Sequence, residues 1–246
     1  MYKDFLVSGP SKSLFNSSFL TSKFIVLDGN LSYYTYKSIF ASQRPEDCLI
    51  WFEPTSVPKC VEILPYLDHV DFISPNEMEL NNLILELTRG NKEKRVEIGE
   101  IEDMASNEKM EILIRKMMIN KSHSSSKHIF LTKGSDGIDW MSCTPETNFD
   151  SILKELKPSF QVMNDQDQSI NVSGAGDGFV GGMVFAMNSL LVQNSSSLIP
   201  LSDEQIEECI HFGMEIAFES CKFKETVPPF YSDTISDQIK KLTNKK

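Results

Sequence analysis

Short runs of β-branched and aromatic residues alternate with helical patterns along most of this 246-residue chain. The runs FIVLDGN (24–30), CLIWFEP (48–54) and VDFISPN (70–76) each end in polar or turn residues, which is typical of buried parallel strands. Each is followed by a helical pattern, namely YTYKSIFASQ (34–43), KCVEILPYLDHV (59–70) and NEMELNNLILELTRG (76–90). Strands that alternate with helices predict an α/β fold with a mainly parallel sheet covered on both faces.

The second half of the chain repeats this alternation less regularly. The charged stretch 91–107 predicts an exposed loop or ragged helix, and NEKMEILIRKMMINK (107–121) predicts an amphipathic helix. Later segments predict three strands and a helix capped by Ser202 or Asp203, in the order HIFLTKG (128–134), GIDWMSC (137–143), SFQVMND (159–165) and SDEQIEECIHFGMEIAFES (202–220).

Polar residues follow several of the predicted strands. In a parallel sheet, ligands bind at the carboxyl ends of the strands. We therefore expect one edge of the sheet to gather Asp28, Asn30, Glu53, Asn76, Glu79 and the TKGSDG loop (132–137).

Charge and cysteine usage argue against several classes of function. The formal net charge of −11 argues against binding that depends on neutralising nucleic-acid phosphates. The 5 cysteines and 4 histidines are widely spaced, without a C-x-x-C or H-x-x-x-H pair, which favours buried free thiols over a zinc site or a disulfide framework. Free thiols indicate a reducing compartment, so a cytoplasmic protein is expected.

Membrane insertion is also disfavoured. The most apolar run, FVGGMVFAMNSLLV (179–192), is too short to span a bilayer and contains Asn188. The first 15 residues lack an apolar core of the signal-peptide type.

The stretch NVSGAGDGFVGGMVFAM (171–187) concentrates glycines around one acid, Asp177, and then becomes apolar. Gly176, Gly178 and Gly181 spell G-x-G-x-x-G, but a polar loop precedes them and no acid ends a following strand, which argues against a dinucleotide fingerprint. No G-x-x-x-x-G-K-[ST] motif of a P-loop occurs in the sequence.

Two interpretations of this stretch remain open from the residues alone. It is either a turn that leads into a buried helix, with Asp177 favoured by the helix dipole and with Gly181 and Gly182 serving close packing, or an anion site. The backbone N–H groups of residues 174–177 at a helix start would bind phosphate. An ionised acid beside them would accept the proton of a hydroxyl that receives a phosphoryl group.

The sequence SGAGD resembles the G-A-G-D signature of the ribokinase-like (PfkB) sugar and nucleoside kinases. Two other segments are similar to motifs of this family and occur in its order: SPNEMEL to N-x-x-E, and LTKGSDGI to T-x-G-x-x-G. WFEPTSV and SPNEMEL also resemble the corresponding segments of the pseudouridine kinases. The resemblance covers about residues 20–228 and is weak across 89–126.

This resemblance implies a ribokinase-like three-layer αβα fold. Residues 1–246 would form a single, partial kinase domain, with 1–20 and 229–246 as flanking segments. The implied activity is phosphoryl transfer from ATP, with Mg²⁺, to the 5′-hydroxyl of a nucleoside, converting pseudouridine to pseudouridine 5′-phosphate.

The resemblance also implies roles for individual residues. Asp177 would be the general base, and the backbone amides of Gly174, Ala175 and Gly176 would form the anion hole. Asn76 and Glu79 would lie near Mg²⁺, through water. The nucleotide would be lined by Thr132, Lys133, Gly134, Ser135, Asp136 and Gly137, with Glu53 near the phosphates or Mg²⁺, and Asp28 and Asn30 would face the acceptor substrate.

Simpler roles compete with these. Asp177 would then be a helix cap, Asn76 a cap beside a solvent-facing Glu79, and Lys133 an exposed side chain.

The sequence departs from the family in two places. Asn171 stands where the family usually carries an acid that helps to bind a monovalent cation, which puts a dependence on K⁺ in doubt. No initial strand, G-G segment or β-lid is visible before residue 20, so the chain is expected to begin partway through the domain and to lack much of the nucleoside pocket.

Alternative functions follow from these departures. The chain would be another sugar or nucleoside kinase of the family, or a non-catalytic relative that binds nucleotide or a partner protein. A homodimer and a fusion to a pseudouridine-5′-phosphate glycosidase domain are both compatible with the resemblance.

Overall fold

The computed structural model describes residues 22–42, 45, 48–89, 98–119, 126–144, 151–158, 172–193 and 201–222, together with Asp237 and Lys240. The chain divides into two compact units. The first unit comprises residues 1–133 and 139–154, and the second comprises residues 134–138 and 155–246. The prediction of a single domain over 1–246 stays a prediction.

A six-stranded sheet forms the framework, with its strands in sequence order: β1 (Phe24–Asp28), β2 (Leu49–Glu53), β3 (Phe72–Ile73), β4 (Lys127–Thr132), β5 (Ile138–Cys143) and β6 (Ser151–Leu156). The strands β1 to β4 pair in parallel. The predicted α/β fold with a mainly parallel sheet is therefore confirmed.

Five helical segments in the first unit connect and cover these strands: α1 (Tyr33–Ala41), a 3₁₀ helix (Cys60–His69), α2 (Glu77–Arg89), α3 (Ile98–Asp103) and α4 (Ser106–Met117). Their apolar faces bury one face of the sheet, because alternate strand residues such as Ile50 and Phe52 point to the same side. The segment 60–69 forms a 3₁₀ helix that contains Pro65, whose ring is incompatible with the interior of an α-helix.

Aromatic rings cover the opposite face of the sheet in the first unit. Trp51 stacks on Phe72 and on Phe130, with ring centroids 5.3 Å and 5.2 Å apart. Phe72 stacks on His128 at 4.9 Å, and the indole N–H of Trp140 donates to His128 Nδ1 at 3.2 Å. Burial lowers the pKa of His128 to about 4, so its ring is neutral at physiological pH.

A buried ion pair holds the amino-terminal ends of β3 and β4. Lys127 Nζ lies 2.9 Å from Asp71 Oδ1, and the two side chains are 1% and 7% exposed. The backbone N–H of Ile50 donates to the second oxygen, Asp71 Oδ2, at 2.8 Å. Both carboxylate oxygens therefore have partners, as a buried charge requires.

The second unit contains the helices α5 (Ala175–Gln193) and α6 (Asp203–Cys221), which pack closely against each other. A Cβ at Gly182 would lie 3.0 Å from the Cα of Gly213, so this glycine serves packing as expected. Among the described residues, a Cβ at Gly181 would meet nothing within 4 Å, so the packing role expected for Gly181 was wrong. The predicted cap of α6 is Ser202, which forms a reciprocal capping box with Gln205.

The structure corrects or leaves open several expectations. The strand β6 was missed, and the strand predicted at 159–165 lies outside the described residues. Residues 1–21 and Asn171 also lie outside them, so the absence of an initial strand and β-lid and the K⁺ question stay predictions. In the described part of the chain, no helix has the length and apolarity needed to cross a membrane.

Candidate active site

The expected residues line the carboxyl ends of four parallel strands in the first unit. Asp28 and Glu53 end β1 and β2 and lie opposite each other in register. Asn76, beyond the end of β3, and Thr132, the last residue of β4, form a parallel bridge, and the Thr132 amide donates to the carbonyl oxygen of Pro75 at 2.9 Å. The topology thus places all four along one edge of the sheet.

The loop after β1 is tied to the loop after β2. The Gly29 amide donates to the Glu53 carbonyl oxygen at 2.9 Å and to Thr55 Oγ1 at 3.1 Å. A Cβ at Gly29 would lie 2.2 Å from the Pro54 carbonyl oxygen, so only glycine fits. Lys59 Nζ donates to Asn30 Oδ1 at 2.5 Å, which brings a positive charge to this end of the edge.

The turn after β2 has a strained backbone. Thr55 has φ of +66°, and the Ser56 amide donates to the Pro54 carbonyl oxygen at 2.7 Å, the hydrogen bond of a γ-turn. A non-glycine residue in this region costs about 1–3 kcal/mol. The bond from the Gly29 amide to Thr55 Oγ1 helps to hold the turn in place.

A line of hydrogen bonds leads to the Glu53 carboxylate from the sheet interior. The Trp51 indole N–H donates to Ser74 Oγ at 2.8 Å, and the Ser74 hydroxyl donates to Glu53 Oε2 at 2.5 Å. Trp51 is fully buried and Ser74 is 3% exposed, whereas Glu53 is only partly buried. The carboxylate is thus fixed by groups that have little freedom to move.

Asn76 and Glu79 form a reciprocal capping box at the start of α2. The Glu79 amide donates to Asn76 Oδ1 at 2.9 Å, and the Asn76 amide donates to Glu79 Oε2 at 3.0 Å. Glu79 is 4% exposed, and burial raises the pKa of its carboxyl although the bond from Asn76 opposes this shift. The capping alternative therefore holds for Asn76, but Glu79 does not face solvent.

The residues of the edge fit Mg²⁺ only as an indirectly held ion. Among the residues that the structure describes, no group of three or more His, Cys, Asp or Glu side chains has the arrangement of a metal site. Mg²⁺ keeps several waters and is commonly held by one or two carboxylates and substrate phosphates. The carboxylates of Glu53 and Glu79 and the amide of Asn76 match that chemistry.

Lys133 is paired with an acid. Its Nζ lies 3.1 Å from Asp139 Oδ2 and 3.2 Å from Asp139 Oδ1, with the lysine side chain 30% exposed. The alternative of a simply exposed lysine was wrong, and any phosphate would share this charge with Asp139.

The glycines of the TKGSDG loop (132–137) have the backbone conformation that only glycine adopts readily. Gly134 and Gly137 have φ of +58° and +94°, and a short 3₁₀ turn joins them. A Cβ at Gly137 would lie 2.2 Å from the Leu156 carbonyl oxygen. Ser135 and Asp136 are exposed.

Asp177 lies in the first turn of α5 and is exposed. Gly174 precedes the helix with φ of +86°, which other residues rarely adopt. The Gly178 amide already donates to the Gly174 carbonyl oxygen at 2.8 Å, and the Ala175 amide donates to that of Val172 at 3.2 Å. Of the three amides expected to form the anion hole, that of Ala175 therefore also serves the turn.

The predicted site residues are divided between the two units. The first unit carries Asp28, Asn30, Glu53, Asn76, Glu79, Thr132 and Lys133, and the second carries 134–137 and 174–177. Sequence reasoning assigned no individual role to Trp51, in the interior of β2, or to Thr55, Lys59 and Ser74. Three of them lie in the WFEPTSV and SPNEMEL segments, but their contacts join segments that are far apart in sequence, so the local pattern did not reveal what they do.

Comparisons with known proteins agree with this architecture. The sequence profile described as "pfkB family carbohydrate kinase" matches residues 10–230. Residues of the chain are also 39% identical, over 72 positions, to a pseudouridine-metabolizing bifunctional protein of Schizosaccharomyces pombe. That match covers 28% of this chain and 10% of the relative.

Solved structures share the fold at low sequence identity. A putative sugar kinase from Clostridium perfringens has a TM-score of 0.58 at 18% identity, covering 98% of this chain and 60% of that one. Adenosine kinase from Schistosoma mansoni, in complex with 2-fluoroadenosine, has a TM-score of 0.60 at 14% identity, covering 92% and 56%. Ribokinase from Giardia lamblia has a TM-score of 0.56 at 20% identity, covering 90% and 60%. The chain thus spans about 56–60% of these proteins.

Proposed function

Because this chain belongs to the pfkB family of carbohydrate kinases, we propose that it transfers the γ-phosphoryl group of ATP to the 5′-hydroxyl of a nucleoside. The family match over residues 10–230 carries the assignment to a sugar or nucleoside kinase. The choice of pseudouridine as acceptor rests on the 39% identity over 72 residues to a pseudouridine-metabolizing protein and on the WFEPTSV and SPNEMEL segments.

Asp177 is the proposed general base. Its carboxylate accepts the proton of the acceptor hydroxyl while that oxygen forms a bond to the γ-phosphorus and the bond to the ADP oxygen breaks. The start of α5 supports this role, because its N–H groups and dipole stabilise the negative charge that develops on the transferred group. The backbone amides of Gly174, Ala175 and Gly176 are the proposed donors.

The remaining residues have proposed roles in binding. Asn76, Glu79 and Glu53 would hold Mg²⁺, mainly through water, and a bound Mg²⁺ neutralises charge on the phosphates. Thr132 to Gly137 would line the nucleotide, with the charge of Lys133 shared between Asp139 and phosphate. Asp28 and Asn30 would bind the acceptor. The bond from Lys59 to Asn30 supports this, because it fixes the orientation of the amide.

The proposed compartment is the cytoplasm. All five cysteines are free thiols, and Cys221 is the one that is not fully buried. Free thiols persist in a reducing environment. A homodimer and a glycosidase fusion stay predictions.

An acceptor panel tests the proposal. The purified chain is incubated with Mg·ATP and pseudouridine, uridine, adenosine or ribose, and the phosphorylated product is identified by mass spectrometry. The proposal expects pseudouridine 5′-phosphate and little product from the other acceptors, with activity lost when Mg²⁺ is chelated. A product from another acceptor alone would replace the substrate. No product from a demonstrably folded chain would favour a non-catalytic relative that binds nucleotide or a partner.

A further inference from the structure

The hydrogen bonds from Trp51 through Ser74 to Glu53 have a fixed direction. An indole N–H is a donor only, so Ser74 Oγ must accept from Trp51 at 2.8 Å. An ionised carboxylate accepts only, so the single hydroxyl proton of Ser74 must point to Glu53 Oε2 at 2.5 Å. Each group therefore determines the orientation of the next.

The groups at the start of this line are held rigidly. The Trp51 ring is fully buried and stacked on Phe72 and Phe130, so its N–H direction is set by the sheet. Ser74 directly follows β3, and its amide donates to the carbonyl oxygen of Phe52 at 3.4 Å. Two residues later, Asn76 caps α2. Ser74 thus joins the carboxylate of β2 to the segment that carries Asn76 and Glu79.

We propose that Ser74 is a positioning residue, which holds the Glu53 carboxylate in the orientation that receives the metal side of a bound Mg·nucleotide, and that Trp51 sets the orientation of Ser74. This inference rests on the proposed function, because it assumes that the edge of the sheet binds Mg²⁺ with nucleotide. Groups that orient a metal-binding side chain typically contribute about 10- to 100-fold to metal affinity.

Three substitutions separate positioning from simple support of the fold. Ser74→Ala removes the hydroxyl, whereas Ser74→Thr keeps it. Trp51→Phe keeps a stacked ring but removes the N–H, and it carries the same test if Ser74→Ala does not fold. The matched control is Ser142→Ala, because Ser142 is also 3% exposed and lies in the same sheet, on β5.

The affinity for ATP is measured by isothermal titration calorimetry, with and without Mg²⁺, on variants whose circular dichroism spectra match that of the unmodified chain. We expect Ser74→Ala to weaken Mg·ATP binding about tenfold and to leave metal-free ATP binding unchanged. Trp51→Phe should weaken Mg·ATP binding in the same direction. Ser74→Thr should restore most of the affinity, and Ser142→Ala should match the unmodified chain.

Other outcomes overturn the inference. If Ser74→Ala binds Mg·ATP as tightly as the unmodified chain, or loses metal-free ATP binding to the same extent, then Ser74 does not position a metal-binding carboxylate. If the unmodified chain binds ATP equally with and without Mg²⁺, the assignment to the metal side is wrong. If the unmodified chain binds no ATP at all, the proposed function fails as well. The first two outcomes overturn only this inference, so the two failures can be told apart.

Discussion

Asn76 and Glu79 cap each other's backbone at the start of α2, with bonds of 2.9 Å and 3.0 Å. The same pair forms the N-x-x-E motif. One pair of side chains therefore has a structural role that is visible in the hydrogen bonds and a proposed role at Mg²⁺, and substitutions can separate the two.

Glu79→Gln should keep the fold and weaken the dependence of ATP binding on Mg²⁺. Glutamine at this position also completes a capping box, so helix α2 keeps its cap. Because burial raises the pKa of Glu79, the folded state binds this proton more tightly than the unfolded state does. The carboxyl therefore lowers the free energy of unfolding at any pH above its pKa in the unfolded chain. Urea unfolding at pH 7 should therefore show Glu79→Gln to be as stable as the unmodified chain or more so.

Glu79→Ala is the contrasting variant. It should lose about 1 kcal/mol of unfolding free energy, because it removes the side chain that accepts from the Asn76 amide. If both variants bind Mg·ATP normally, Glu79 is a cap and has no part in metal binding.

Lys127→Met should destabilise the fold severely. It leaves the Asp71 carboxylate buried without its cation, and breaking a buried pair in this way costs about 3–5 kcal/mol. Arg115→Met is the control, because the pair of Arg115 with Glu111 is exposed and such pairs contribute about 1 kcal/mol or less. Urea unfolding of both variants gives the comparison, and equal losses would show that the buried pair is not specially stabilising.

His128 should make the protein less stable in mild acid. The folded state keeps this ring neutral down to about pH 4, whereas the unfolded state takes up a proton near pH 6.5. Stability should therefore fall as the pH drops between these values, by up to about 3 kcal/mol, and level off below them. His128→Phe should remove this part of the pH dependence, measured as the difference between the two unfolding curves. An unchanged slope would mean that His128 does not titrate as its burial implies.

Gly29→Ala should disrupt the joined loops after β1 and β2, because its Cβ would collide with the backbone oxygen of Pro54 at 2.2 Å. We expect a loss of more than about 2 kcal/mol. Gly99→Ala, in α3, is the matched control: no described residue lies within 4 Å of its Cβ position, and alanine favours a helix by up to about 1 kcal/mol. The thermal unfolding midpoint should fall for Gly29→Ala and rise or stay the same for Gly99→Ala. A Gly29→Ala variant as stable as the unmodified chain would show that this turn is adaptable.

The sequence predicted the regular elements better than the contacts between them. Strands such as β1 and β2 are recognisable because apolar runs end in turn residues, although β1 is buried only at alternate residues, and α6 is recognisable because Ser202 caps an apolar stripe. The strand β6 was missed because only Leu156 of its residues is fully buried, which leaves no apolar pattern. The turn at Thr55 could not be predicted either, since a non-glycine residue with positive φ contradicts local preference.

The site shows the same division. Motif spacing indicated Asn76 and Glu79, whose bonds are local in sequence. The sequence could not reveal that the Ser74 hydroxyl donates to Glu53, 21 residues away, or that Lys133 forms an ion pair with Asp139 across the turn between β4 and β5. Such contacts depend on strand order and register, which only the folded chain determines.

Asp177 is the proposed general base of the phosphoryl transfer. The kcat of Asp177→Asn with Mg·ATP and pseudouridine tests this role, beside that of Asp203→Asn, which changes another acid in the first turn of a helix, α6. We expect the kcat of Asp177→Asn to fall about 10²- to 10⁴-fold at unchanged ATP affinity, and that of Asp203→Asn to stay the same. Full activity of a folded Asp177→Asn would contradict it and leave Asp177 as a helix-terminal acid.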